Sequence, residues 1–279
     1  MSLVPDVDER RIRRARRRRR RRDQRRRATQ LLPQLLTTGN LAAGFYSITL
    51  SFKGDIDRAA LMIVFAALFD MLDGRVARLT RTTSRFGMEY DSIADTVSFG
   101  VAPAILAYCA GSLHELGWTG WVLAFLYTAC AALRLARFNV TPGRYSGRFD
   151  GLASPAAAGM VLSAVWFAGF LRESGLAFEI PAPIAGLGVA AVGLLMVSPI
   201  PYRSFKNVQL HGSFGSLVLV VVALIVLFTK PAVTFFGVGV AYVAAGPIEA
   251  LWRWRTGRPL TELRENEPAV LPDGGSGPH

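Results

Sequence analysis

The sequence predicts an all-helical, polytopic membrane bundle of about eight transmembrane helices, and three observations carry that prediction. Hydrophobic residues make up 51% of the 279, at the upper edge of what a soluble domain carries. These residues gather into runs of about 20, the length a helix needs to cross a hydrocarbon core. Basic residues, finally, collect on alternate connections between the runs, as they do in multi-pass proteins.

The apolar runs lie near residues 31–50, 57–77, 91–111, 118–137, 153–171, 181–198, 213–229 and 231–250. Carboxylates interrupt the second and third, and only Thr229, Lys230 and Pro231 separate the last two. Suppose that the N-terminal arm is cytoplasmic. That side then also receives Arg75, Arg78, Arg81 and Arg85, then Arg134, Arg137, Arg144 and Arg148, then Arg203 and Lys206, and Arg253, Arg255, Arg258 and Arg264 from the tail. The opposite side receives Lys53, Arg58, Arg172 and Lys230. The asymmetry predicts an integral protein of the cytoplasmic membrane with both termini and the second connection in the cytoplasm.

Three regions are expected: a basic, disordered cytoplasmic arm at 1–27, a transmembrane domain at 28–255, and a disordered cytoplasmic tail at 256–279. The arm accounts for most of the formal charge of +12, with 14 arginines between residues 10 and 27. It runs into the first apolar segment without a small-residue cleavage site, so it is not read as a secretory signal. Cys109 and Cys130 sit inside apolar runs without ligand spacing and read as small buried hydrophobes. Trp118, Trp121, Trp166, Trp252 and Trp254 mostly fall near the ends of runs, where an interfacial belt is expected.

One stretch resists a purely structural account. Residues 69–95 read FDMLDGRVARLTRTTSRFGMEYDSIAD, which is DxxDGxxAR, eight residues, then GxxxDxxxD. Acids near a bilayer are costly unless they have a partner. On a helix, Asp70, Asp73, Gly74 and Ala77 share one face, and Asp91 and Asp95 share a face of the next helix. Two such faces opposed at the cytoplasmic end of a hairpin would make an all-oxygen pocket suited to Mg2+ or Mn2+. Gly74 and Ala77 leave room for a ligand to approach the backbone, and Arg78 can fork onto a phosphate. A network of acid–arginine pairs would explain Arg75, Arg78, Arg81 and Arg85, but not the fixed spacing of the acids beside two very small residues.

Every fixed position of this pattern matches the signature of the CDP-alcohol phosphotransferases, and the chain resembles that family over residues 31–206. The resemblance implies a six-helix core, here followed by a C-terminal pair, and two divalent ions. It implies that Asp70, Asp73 and Asp91 bind metal, and that Asp95 binds a second metal and acts as general base. It also implies that Gly74, Arg78 and Ser84 contact the cytidine diphosphate donor. Ala77, Pro33, Gln34, Thr37 and Asn40 are added to the donor site. Gln34 stands where the family usually has asparagine, and Ala153 where it usually has proline. For Thr37 and Asn40, one turn apart, the alternative is interhelical hydrogen bonding.

The flanking segments 32–45, 91–104, 132–139, 149–159 and 195–206 resemble the serine-accepting branch of the family. The expected reaction is phosphatidyl transfer from CDP-diacylglycerol to L-serine, giving phosphatidylserine and CMP. Glycerol 3-phosphate, inositol phosphate and choline are the rival acceptors, and a polytopic transporter is the rival from another class. Candidates for the acceptor site are Arg134, Arg137, Asn139, Arg203 and Lys206, with Arg137 leading. Ordinary positive-inside anchoring is the competing explanation for each cation. The arm is expected to meet anionic lipid and not nucleic acid, since it has no aromatic platform. A homodimer is implied by the resemblance.

Overall fold

The computed structural model describes residues 31–80, 84–110, 113–140, 148–175, 180–203 and 230–256. The predicted arm, the predicted tail beyond Thr256, the seventh apolar run and Lys206 lie outside the described residues.

Helix α1 covers 31–52. It ends in a tight turn at Gly54, whose φ of 77° suits a residue without a side chain. Asp55 then starts α2, Ile56–Thr80, by accepting from the backbone N–H of Arg58 at 3.4 Å. Ser84 caps α3, Arg85–Asp95, with its Oγ accepting from Gly87 N at 3.0 Å, as N-terminal hydroxyls do.

The α3 helix does not stop at Asp95. It passes through a π-helical segment, Thr96–Val101, into α4, Ala102–Ala110. Pro103 accounts for the irregularity, because proline has no N–H to give to the carbonyl of Phe99 one turn back. A neighbouring helix supplies the missing donor: the Tyr127 hydroxyl donates to Phe99 O at 3.1 Å. Ala102 N reaches back five residues to Val97 O, the wider π pattern.

A 3-10 turn at Leu113–Leu116 leads into α5, Trp118–Val140. After it come β1, Arg148–Asp150, α6, Ser154–Glu173, and α7, Ala182–Val197. Then follow β2, Pro201–Arg203, and α8, Pro231–Arg255. The two strands pair antiparallel, with Phe149 opposite Tyr202. This short ladder was not expected from the sequence, but it does not change the helical class. Gly151, at φ 78°, extends the pairing, its N–H donating to Ile200 O at 2.9 Å, and lies against the end of α7, where a Cβ would overlap Met196 O.

Among the described residues, four helical stretches are long and apolar enough to cross a membrane: Arg85–Ala110, Trp118–Val140, Ser154–Glu173 and Pro231–Arg255. The α7 helix is equally apolar but has 16 residues. The expected total of eight includes a run outside the described residues.

Small side chains dominate the contacts between helices. One buried cluster joins α1, α2, α4 and α6 through Ala43, Ala59, Ala60, Ala66, Ala102 and Ala158, with Ile63, Phe99 and Leu106 filling the gaps. In lipid, such close approach of backbones replaces the hydrophobic drive of a soluble core. A second cluster, around Tyr127, Leu152, Val192, Met196 and Tyr202, ties α5, α6 and α7 to the ladder. Cys130 is buried and Cys109 half-buried, both as free thiols.

Candidate active site

The predicted acids meet. Carboxylate oxygens of Asp70 on α2 and of Asp91 and Asp95 on α3 all lie within 4.8 Å of one another. Asp73, one turn further along α2 and 4% exposed, stands beside them and accepts from Thr37 Oγ1 at 2.9 Å. Asp95 is 8% exposed and accepts from Asn40 Nδ2 at 2.9 Å. The α1 helix therefore supports both acid-bearing helices, through hydroxyl and amide donors spaced three residues apart.

Among the described residues, ion pairs join Arg58 to Asp55, Arg137 to Asp150 and Arg253 to Glu249, and none reaches the four acids. Asp91 Oδ1 is buried with no hydrogen-bond partner. A buried carboxylate oxygen left without a partner calls for an explanation. Converging carboxylates repel one another unless a cation lies among them. An all-oxygen donor set without histidine or cysteine fits a hard divalent ion.

Beside the acids opens a cavity of about 170 Å3. Pro33, Gln34 and Thr37 line it from α1, and Asp73, Gly74, Ala77 and Arg78 from α2. Ser84, Gly87, Met88 and Asp91 close it from the α3 side. Asp91 thus faces both the cavity and the acid cluster. The guanidinium of Arg78 folds back over Gly74, where a Cβ would lie 3.4 Å from Nη1. A bare backbone with a guanidinium above it is a natural seat for phosphate oxygens.

The residues expected around the donor line this cavity with one exception. Asn40 is fully buried and is turned to Asp95 instead. Met88 was not foreseen; it follows Ser84 by one helical turn, and its N–H donates to Ser84 O at 3.1 Å. Helical spacing from the cap was the signal that could have found it.

The acceptor candidates separate. Arg137, favoured from the sequence, is engaged elsewhere: it pairs with Asp150 at 3.7 Å and donates to Val197 O at 3.3 Å, fastening the ladder to α5. Asn139 donates to Ser92 Oγ at 2.9 Å on the exposed side of α3. Arg134 donates from Nη1 to Ser154 Oγ at 2.9 Å, while its Nε is buried without a partner. Arg134 also lies within electrostatic range of Asp95. The Arg203 side chain and all of Lys206 lie outside the described residues.

Comparison with known proteins bears on the same segment. A model of the family described as CDP-alcohol phosphatidyltransferase matches residues 30–197. A CDP-diacylglycerol--serine O-phosphatidyltransferase of Helicobacter pylori is 36% identical over 211 residues, covering 72% of this chain and 83% of the relative. The protein of that name from Bacillus subtilis is 34% identical over 176 residues, covering 63% of this chain and 92% of the relative. An archaetidylserine synthase of Methanothermobacter thermautotrophicus is 39% identical over 173 residues, covering 61% and 69%.

Proposed function

The chain belongs to the CDP-alcohol phosphatidyltransferase family, and we propose that it transfers the phosphatidyl group of CDP-diacylglycerol to L-serine, giving phosphatidylserine and CMP. The observation that carries the reading is the shared position of Asp91 between the cavity over Gly74 and the acid cluster. A diphosphate seated over Gly74 would bring its reacting phosphorus to the carboxylates. The serine-transferring names of the relatives support the choice of acceptor.

Each group has a task in this reading. Arg78 and the exposed backbone at Gly74 hold diphosphate oxygens, while Pro33, Gln34, Thr37, Ala77 and Ser84 shape the donor pocket. Asp70, Asp73, Asp91 and Asp95 would hold two divalent ions, Mg2+ or Mn2+, which when bound neutralise the diphosphate and its leaving group. Asp95 takes the proton of the serine hydroxyl as its oxygen bonds to phosphorus, and the bond from phosphorus to the CMP oxygen breaks. Arg134, with an unpartnered Nε near Asp95, binds the serine carboxylate. We place the site at the cytoplasmic face of the cytoplasmic membrane, from the distribution of arginine and lysine, and the working unit as a homodimer.

The test is CMP release by the purified full chain with CDP-diacylglycerol and Mg2+ or Mn2+. Serine is expected to give release well above water, glycerol 3-phosphate, inositol phosphate and choline. If serine matched water while another alcohol did not, serine would be the wrong acceptor.

A further inference from the structure

Asn40 is the one expected donor contact that does not touch the donor cavity, and its surroundings point to another task. Its side chain is fully buried and donates from Nδ2 to Asp95 Oδ1 at 2.9 Å. Its own amide oxygen is buried without a partner. A side chain present only to fill space between helices would be apolar here, because an orphaned buried acceptor costs free energy. The amide is retained with one end satisfied, and that end is on the carboxylate.

The backbone around this contact is fixed as well. Ser98, in the π-helical segment three residues after Asp95, donates from Oγ to the backbone carbonyl of Asn40 at 3.0 Å. A Cβ on Gly44, one turn further along α1, would overlap Ser98. The two helices therefore meet at backbone distance, with the amide of one aimed at the acid of the other. Tyr127 steadies the same segment from α5 through its bond to Phe99 O.

Resting on the reading of Asp95 as the base, we infer that Asn40 is a positioning residue for it. By donating to one lone pair of Oδ1, Asn40 fixes the plane of the carboxylate and with it the direction of the second oxygen, which takes the hydroxyl proton. Ser98 holds Asn40 in register through its carbonyl. Asn40 touches neither substrate. Its loss should lower the rate of proton removal without weakening donor binding, because a misoriented base loses turnover while the pocket over Gly74 is unchanged.

The test compares Asn40→Leu, which keeps the volume and removes the N–H, with Ser98→Ala and Asp95→Asn. All are assayed in the full chain for kcat and KM of CDP-diacylglycerol by CMP release, and separately for binding of CDP-diacylglycerol. Asn40→Leu is expected to reduce kcat by about 10²-fold, the low end of a general base's contribution, with donor KM and binding within about twofold of the parent. Ser98→Ala, which leaves the side chain of Asn40 intact, is expected to lower kcat severalfold with the same unchanged binding. Parental kcat in Asn40→Leu, or a loss of donor binding equal to the loss of kcat, would overturn the inference. Should Asn40→Leu not fold, parental kcat in Ser98→Ala would overturn it. Activity in Asp95→Asn would instead remove Asp95 as the base, so the failure of that reading is told apart from the failure of this one.

Discussion

At the scale of single residues, the acids and their supports make separable predictions. Thr37 donates to Asp73 at the wall of the cavity. Thr37→Val keeps the shape but leaves that buried carboxylate one donor short, a loss of about 1.5–3 kcal/mol for a hydrogen bond to a charged group. Donor KM should rise about tenfold or more with little change in serine KM, measured by CMP release. Arg134 and Arg137 make a sharper contrast, since Lys keeps the charge but loses the planar fork. Arg134→Lys should raise serine KM, while Arg137→Lys, at a residue bound to Asp150 and Val197 O, should lower thermal stability instead. The reverse pattern would return Arg137 to the acceptor site. The DxxDGxxAR and GxxxDxxxD spacing made the acid cluster and the α2 side of the cavity legible in advance. The fate of Arg134 and Arg137 was not legible, because two cations one turn apart look alike until their partners fold beside them.

At the scale of elements, the α3–α4 stretch shows how a local defect can serve a site. Pro103 removes a backbone donor, the helix widens between Thr96 and Val101, and Tyr127 from α5 donates to the carbonyl left over. Tyr127→Phe should therefore orphan a fully buried acceptor and cost about 1–3 kcal/mol. A fall in the melting temperature of the purified protein, with donor KM unchanged, is the expected result. Pro103 was visible in the sequence, but its consequence required a hydroxyl 24 positions away along the chain. The β1–β2 ladder has the same character: three residues on each side carry no period of their own, and pairing arises because Gly151 can lie against α7.

For the molecule as a whole, α8 lies beyond the segment that matches the family model, yet it is packed into the body. Gly246 meets the ring of Tyr202, whose hydroxyl donates to Val243 O at 2.9 Å. Gly246→Leu should force α8 away from the ladder and lower thermal stability, while the α1–α3 donor pocket keeps its affinity for CDP-diacylglycerol. The arginine arm, outside the described residues, acts at this scale too if it gathers anionic donor lipid by attraction of about 1 kcal/mol per charge near the surface. Deleting residues 2–27 should then raise the apparent donor KM in anionic vesicles and not in neutral ones. Equal kinetics in both would leave the arm without that role.

The sequence by itself determined the helical class, the membrane setting and the spacing that brings the acids together. Those properties follow from apolar run length and helical spacing, which are local. Only the tertiary structure decided that Asn40 turns to Asp95 rather than into the cavity, that Arg137 fastens a ladder while Arg134 keeps a free Nε, and that a π-helical segment carries the chain on from Asp95. Each of those outcomes depends on which donors and acceptors are left over once neighbouring helices have closed on one another. Residues 12 to 60 positions apart settle that matching, and helical periodicity is blind at that range.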